Sequence, residues 1–523
     1  MNVADFGSIR RSIYVLLITV ATATIAANIL SVRRLPDPGL VKPSSTTATS
    51  PDADPPDPED LDPNDRRGNW SPTRPRPMPS LGDNDRSRWA TIRALVEDHT
   101  YVIGHQEVDP ETGKATDIGI ASKDGWRSID KVRDPTTHDF YSSKPPFLPT
   151  LLAGEYWVLR AFGLSIVTDR WIVMRTILFT INWLPWVAYL WLLSRLVERY
   201  GTTDWGRLFV FTAACFGTLV STFLNTLNNH TIAAFTALFA LYPVLASARS
   251  PMTYAQLAMA GFFAAFTACS ELPAATLAVT LFVWCLFRSP WRTLVCFVPA
   301  AAVPVAVFLI TNWIAFQQFT PIYEKFGTDW YEYPGSHWIP EPGKTFGIDW
   351  AYLKEQKGAY AFHVLVGHHG LFSLTPVFLL GLAGMFASVV KLITPSTIEP
   401  SVADTVVPRL RPPFVDPRML GILGGVSLLI TVIVVGFYVF GVSDRSRNYG
   451  GWSIGPRWLI WLTPLFLLSM LPVCDWLAGR TWGRRVAYVL LAVSVLSASY
   501  SAWNPWRHPW LYSLIDTFGG IPY

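Results

Sequence analysis

Charge is scarce in this sequence. Only 15% of its 523 residues are Asp, Glu, Lys or Arg, and the formal net charge is +4. So small an excess gives no ground for a nucleic-acid surface, and no partner follows from it. Cysteine is rarer still. The five cysteines are Cys215, Cys269, Cys285 and Cys296 within apolar runs and Cys474 at the end of another, with no Cys-x-x-Cys spacing. They read as small buried hydrophobes rather than as a disulfide or metal framework. Internal repeats are lacking as well. What the chain has in quantity is apolar sequence: half of its residues are hydrophobic and 14% are aromatic, more than globular cores hide and what a lipid bilayer accommodates.

The sequence therefore predicts an all-α polytopic membrane protein with about eleven transmembrane helices. Arg10 and Arg11 precede an apolar run, and residues 12–32 form the first span after a cytoplasmic amino terminus of residues 1–11. A cleaved signal is the alternative, but the run is long for a signal and a retained anchor fits better. Residues 33–80, rich in Pro, Asp, Ser and Thr, have too little apolar surface to pack and read as a disordered linker. Residues 81–168 follow as a first exoplasmic loop, in which Trp89, Ile92, Leu95 and Val96 give helical spacing. Its last part, Phe147 to Leu164, is interrupted by Pro149, Gly154, Glu155 and Arg160 and suits a helix lying along the interface. About ten further spans fill 169–503, and 504–523 form an exoplasmic tail.

Orientation follows from basic residues in short loops, since cytoplasmic loops are enriched in Lys and Arg. With the amino terminus inside, the inside loops hold Arg195, Arg199 and Arg207; Arg249; Arg288 and Arg292; Lys391, Arg409, Arg411 and Arg418; and Arg480, Arg484 and Arg485. The outside connections at 226–229 and around 271 carry none. This topology gathers the chemically capable residues on the face opposite the cytoplasm. Asp83, Asp85, Arg88 and Lys144 lie in the first outer loop, and His230, Glu271, His368 and His369 line outer ends of spans. Arg445, Arg447 and Arg457 flank the last outer loop, against the positive-inside trend, which points to an anion such as a phosphate at the membrane surface.

The stretch from Asp85-Arg-Ser-Arg-Trp to Asp98, followed by Phe140-Tyr-Ser-Ser-Lys-Pro-Pro-Phe-Leu, resembles the first-loop signature of the GT-C membrane glycosyltransferases. The nearest branches are the aminoarabinose transferases and protein O-mannosyltransferases, which pair an Asp-Glu-x-Arg-Tyr type motif with Lys-Pro-Pro or His-Pro-Pro. The resemblance covers about residues 83–165 and a generic Gly-Pro-Arg-Trp-Leu at Gly455. It implies a GT-C-like bundle with a long first exoplasmic loop. The implied enzyme moves a sugar, with inversion, from a polyprenyl-phosphate carrier to a lipid, glycan or protein acceptor, in the cytoplasmic (inner) membrane with its site facing the periplasm or exterior. Carried over by position, Asp85 matches the base on the acceptor hydroxyl, while Arg88 and Lys144 match the cations on the carrier phosphate. Arg445, Arg447 and Arg457 could join them. Asp83, two residues away, could take the part of Asp85, and either could instead cap the helix ahead of Trp89. Arg86 stands where a second acid is usual, and Ser143 where an acid often precedes the lysine. The expected cofactor is therefore none, a divalent metal being possible but unsupported by these residues. The rival reading is a lipid or solute transporter, which would place polar groups near mid-membrane and show internal repeats.

Overall fold

The computed structural model describes residues 3–33, 78–123, 125–248, 250–339, 355–394, 417–443 and 447–519. Most of the linker expected at 33–80 lies outside these residues, as do Arg249, Arg409, Arg411 and Arg445. The chain is a helical, multi-pass membrane protein. Among the described residues, seven helices are long and apolar enough to cross a membrane: Gly7–Ser31, Arg170–Tyr200, Asp204–Phe223, Asn229–Ala246, Pro290–Phe316, Arg418–Gly441 and Arg457–Ala478. Three shorter apolar helices, Tyr254–Ser270, Leu272–Arg288 and Phe378–Ile393, occupy positions where the sequence predicts spans. The remaining expected span is the helix Thr481–Tyr500, which has Arg484 and Arg485 near its start. One boundary differs from expectation. The span whose outer end the sequence reading sets at His368 and His369 begins only at Phe378, because Pro376 restricts Thr375, which leaves the helical region at φ −129° and ψ 64°. His368 and His369 therefore precede the spanning helix rather than opening it.

By packing, the chain forms two compact units. The first comprises the described residues of Met1–Asn28, Ile181–Phe308 and Pro340–Tyr523. Here proline sits inside the helices Asn229–Ala246 and Thr463–Ala478, at Pro243 and Pro472, as membrane helices tolerate when neighbours satisfy the freed carbonyls. Small residues let backbones approach: a Cβ on Gly384 would stand 1.8 Å from the Ser469 carbonyl oxygen, so only glycine fits that crossing. The first helix is a packed member of this unit. Arg10 donates from Nη2 to Glu198 at 2.7 Å, the Tyr14 hydroxyl donates to the same carboxylate at 2.7 Å, and Trp183 donates its indole N–H to the Thr22 carbonyl at 2.9 Å.

The second unit comprises the described residues of Ile29–Thr180 and Leu309–Ile339. The helix α2 (Asp83–Glu97), numbered after the first helix α1 (Val3–Ser31), buries Trp89, Ala90, Ile92 and Ala94. It packs on α3 (Phe147–Ala161). At fifteen residues α3 is short of the ~20 a span needs. It buries Phe147, Leu148, Leu152 and Tyr156 while leaving Leu151, Trp157 and Val158 exposed. Between the two helices the sequence reading leaves only a polar stretch, whereas the structure builds a four-stranded antiparallel sheet in the order β2-β1-β4-β3. Its strands are β1 (Gly104–Val108), β2 (Ala115–Ile118), β3 (Lys131–Arg133) and β4 (Asp139–Ser142). Tyr101 and Val132 pack with Phe316, Ile322 and Tyr331 from the later segment. Backbone bonds tie that segment in, Arg133 donating to the Trp330 carbonyl at 2.9 Å.

Candidate functional site

The residues singled out by sequence fall into both units. Asp83, Asp85, Arg88 and Lys144 belong to the second; His230, Glu271, His368, His369, Arg447 and Arg457 belong to the first. Arg445 lies outside the described residues.

In the second unit, Gly82 is the N-cap of α2 and has no side chain to satisfy the helix's orphan N–H groups. The partner comes from the third helical residue. Asp85 reaches back and accepts from the Gly82 N–H at 2.7 Å and the Leu81 N–H at 2.9 Å, with only 1% of its surface exposed. Burial raises its pKa above the usual carboxylate range, and the two backbone bonds oppose that shift. Asp83 is more open, its side chain 31% exposed. Its Oδ1 meets Arg86 at 3.1 Å and accepts from the Ile129 N–H at 3.2 Å. Of the two carboxylates that could cap this helix, Asp85 is the one that makes the capping contact. Arg88 is buried and donates from Nη1 to the Asn84 carbonyl at 2.8 Å and to the Asn84 side chain.

Both sequence motifs are joined in one network. Ser87 and Ser142 share a hydrogen bond between hydroxyls, and the Lys144 N–H donates to Ser142 Oγ at 3.1 Å. Ser128 donates its hydroxyl to the Asp83 carbonyl at 2.9 Å and accepts from the Asp130 N–H at 3.1 Å. Asp130 closes the network with an ion pair to Lys144 Nζ at 2.9 Å. Sequence reasoning missed Asp130 and Ser128, though a signal for them existed. Asp134-Pro-Thr-Thr-His is turn sequence, with Asp134 Oδ1 accepting from Thr136 N at 2.7 Å, and a hairpin there pairs Lys131 with Ser142. That register sets Asp130 beside Ser143, whose N–H donates to the Asp130 carbonyl at 3.0 Å.

In the first unit, Glu271 follows the helix Tyr254–Ser270 as its C-cap and is inward and partnered. It pairs with His230 and accepts from Asn229 Nδ2 at 2.8 Å. Asn228 caps the helix Asn229–Ala246, accepting from the Thr231 N–H at 2.9 Å. His368 and His369 share a hydrogen bond between their Nδ1 atoms at 2.5 Å. His363 stacks on His368 at 4.0 Å between ring centres, and His508 lies 6.3 Å from His369. Arg447 rests 5.5 Å over Tyr360 and donates to the Glu355 carbonyl at 3.1 Å; Arg457 rests 5.1 Å over Trp506. Among the described residues no group of three or more His, Cys, Asp or Glu is placed to hold a metal ion.

No family model matches the chain, and no curated protein is matched. Solved structures similar to it include those of an archaeal oligosaccharyltransferase. That protein, from Archaeoglobus fulgidus, is matched in its complex with zinc and sulfate at 14% identity and a TM-score of 0.39, over 85% of this chain and 52% of that one. Its complex with an inhibitory peptide and a dolichol-phosphate is matched at 11% identity and a TM-score of 0.40, over 97% of this chain and 58% of that one. The apo form is matched at 12% identity and a TM-score of 0.39, over 98% and 60%. This chain thus spans between half and three-fifths of the length of the chains it matches.

The histidine cluster has a consequence for stability. Burial pushes the His368 pKa down to about 3 and His369 well below the ordinary value, and it lowers His363 and His508 as well. In the unfolded chain these rings titrate near ~6.5. Below that pH the unfolded state binds protons that the folded state does not, so their contribution is present in full above ~6.5 and is lost as pH falls toward the folded values. Thermal stability in detergent should drop between pH 7 and pH 5, and replacing both His368 and His369 with Asn should flatten that slope. An equal slope in the double variant would clear this pair of the effect.

Proposed function

We propose that this protein is a GT-C type glycosyltransferase that moves a sugar from a polyprenyl-phosphate carrier to a hydroxyl of a lipid, glycan or protein acceptor, with inversion. The observation that carries the reading is the network in which the acidic start of α2 and the Ser-Lys-Pro-Pro segment meet, Asp83 through Ser128 to Asp130 and on to Lys144. Acid, cation and an interfacial helix then belong to one folded unit. A lipid-borne phosphate and a hydroxyl acceptor need the same set.

The chemistry balances with these groups. An acceptor oxygen attacks the anomeric carbon opposite the phosphate and yields its proton to a carboxylate. The bond from that carbon to the phosphate oxygen breaks, and the electron pair leaves with the carrier as polyprenyl phosphate. Lys144 and Arg88 stabilise the charge gathering on that leaving group. For the base the geometry favours Asp83, because both oxygens of Asp85 hold backbone N–H groups in a buried turn. The donor-phosphate role expected of Arg445, Arg447 and Arg457 is not part of this reading.

The active face is assigned to the periplasm or exterior on the distribution of loop arginines. The test is transfer by purified protein in sealed vesicles supplied with polyprenyl-phosphate sugar and a hydroxyl acceptor. An impermeant thiol reagent on Thr112→Cys, an exposed position, reports which face the second unit occupies. Transfer only to acceptor on the labelled face is expected. Absence of transfer from every carrier sugar offered, by protein that remains folded, would remove the reading.

A further inference from the structure

Lys144 is not held ready by open solvent. Its ammonium is paired with Asp130 at 2.9 Å, and the two side chains are only 17% and 11% exposed. Asp130 is itself fixed, its N–H donating to Ser128 Oγ at 3.1 Å and its carbonyl accepting from Ser143 N–H at 3.0 Å, on the register that pairs Lys131 with Ser142. A carboxylate placed so firmly against the cation expected to bind an anion lowers that cation's attraction for the anion. The repulsion is graded by charge. A sugar-linked carrier is a phosphodiester with one negative charge, whereas the spent carrier is a monoester with nearly two at neutral pH.

We propose that Asp130 is the internal counter-ion of Lys144, which competes with carrier phosphate and weakens the hold on the spent carrier more than on the sugar-bearing donor. The inference rests on the reading that Lys144 binds the carrier phosphate. Asp130 touches no substrate in this scheme; it is a positioning residue acting through Lys144. Lys144 has three N–H donors, so it can keep one bond to Asp130 while offering another to phosphate and returns to the full ion pair once the carrier departs. The site is thereby reset by a group already in place.

The test measures binding of undecaprenyl phosphate, and of its methyl diester, to the full-length protein in detergent. Asp130→Asn keeps the shape and removes the charge. It should bind the monoester about three- to tenfold more tightly than wild type, with a smaller gain for the diester. Asp130→Glu restores the charge and should return the affinity to the wild-type value, which also controls for disturbance of the loop. Lys144→Met should weaken binding, and in that background Asp130→Asn should confer no gain. Monoester affinity in Asp130→Asn equal to or weaker than wild type, with Lys144→Met still impaired, overturns the counter-ion role alone. Lys144→Met binding as tightly as wild type overturns the phosphate reading beneath it.

Discussion

Asp83→Asn is expected to fold normally, bind the carrier and lose sugar transfer by about 10² to 10⁴, the usual contribution of a positioned base. Asp85→Asn is expected to show the opposite profile. The carboxylate of Asp85 accepts two backbone N–H bonds in a turn with 1% exposure, and an amide has one oxygen to offer. Its NH₂ would face the Leu81 or Gly82 N–H, donor against donor, leaving a buried group unsatisfied at a cost of about 1–3 kcal/mol. Asp83 has no such duty, both of its contacts falling on Oδ1 with a third of the side chain exposed. Asparagine at 83 keeps an oxygen for the Ile129 N–H and gives up only a partly exposed ion pair with Arg86, so stability should hardly change. The two variants are compared by transfer rate and by thermal unfolding. Full transfer in Asp83→Asn with a folded but inactive Asp85→Asn would hand the base to Asp85 and require it to release the Leu81 and Gly82 N–H groups during catalysis. Full transfer in both would take the base out of α2.

Much of the architecture is legible in the sequence because lipid imposes a single demand, long apolar helices with satisfied backbones, and that demand writes itself as composition. Apolar runs locate the spans, and Pro-Pro ahead of Phe147 marks the start of α3. What the sequence does not disclose is set by register and by distant pairing. Which aspartate caps α2 turns on a glycine N-cap: Gly82 has no side chain, so the carboxylate able to loop back, three positions on, makes the capping contact, and a spacing argument cannot see which N–H groups lie within reach. Asp130 becomes visible only when β3 and β4 are paired, and short strands of three and four residues give little periodicity to read. The joining of Leu309–Ile339 to the first loop is less legible again, since nothing local in Trp330 or Tyr331 names Val132 as a neighbour. His368 and His369 are misplaced by a few residues for a different reason: the apolar run continues through Thr375-Pro376, and hydropathy does not register the break.

Lys144→Met is expected to lower transfer by about 10² to 10³, the size of effect seen when one preorganised group facing developing charge is removed. The loss should exceed the loss of donor affinity, because the donor phosphodiester carries one charge and the leaving monoester approaches two; the ammonium contributes most when the bond to the anomeric carbon is breaking. In kinetic terms kcat should fall further than KM rises. A structural role predicts otherwise. Methionine would take the ammonium away from a nearly buried carboxylate, and if that were the whole effect, unfolding temperature and binding would fall together and the double variant Lys144→Met with Asp130→Asn would recover transfer. The phosphate reading predicts recovered stability in the double variant without recovered turnover, since no cation has returned. Lys144→Arg adds a sterner check. Guanidinium keeps the charge but places it on a planar fork, whereas Asp130 meets a compact ammonium at 2.9 Å, so only a fraction of the rate should return. Wild-type turnover in Lys144→Met would leave Lys144 as a structural partner of Asp130 and move the search for the phosphate cation to Arg88.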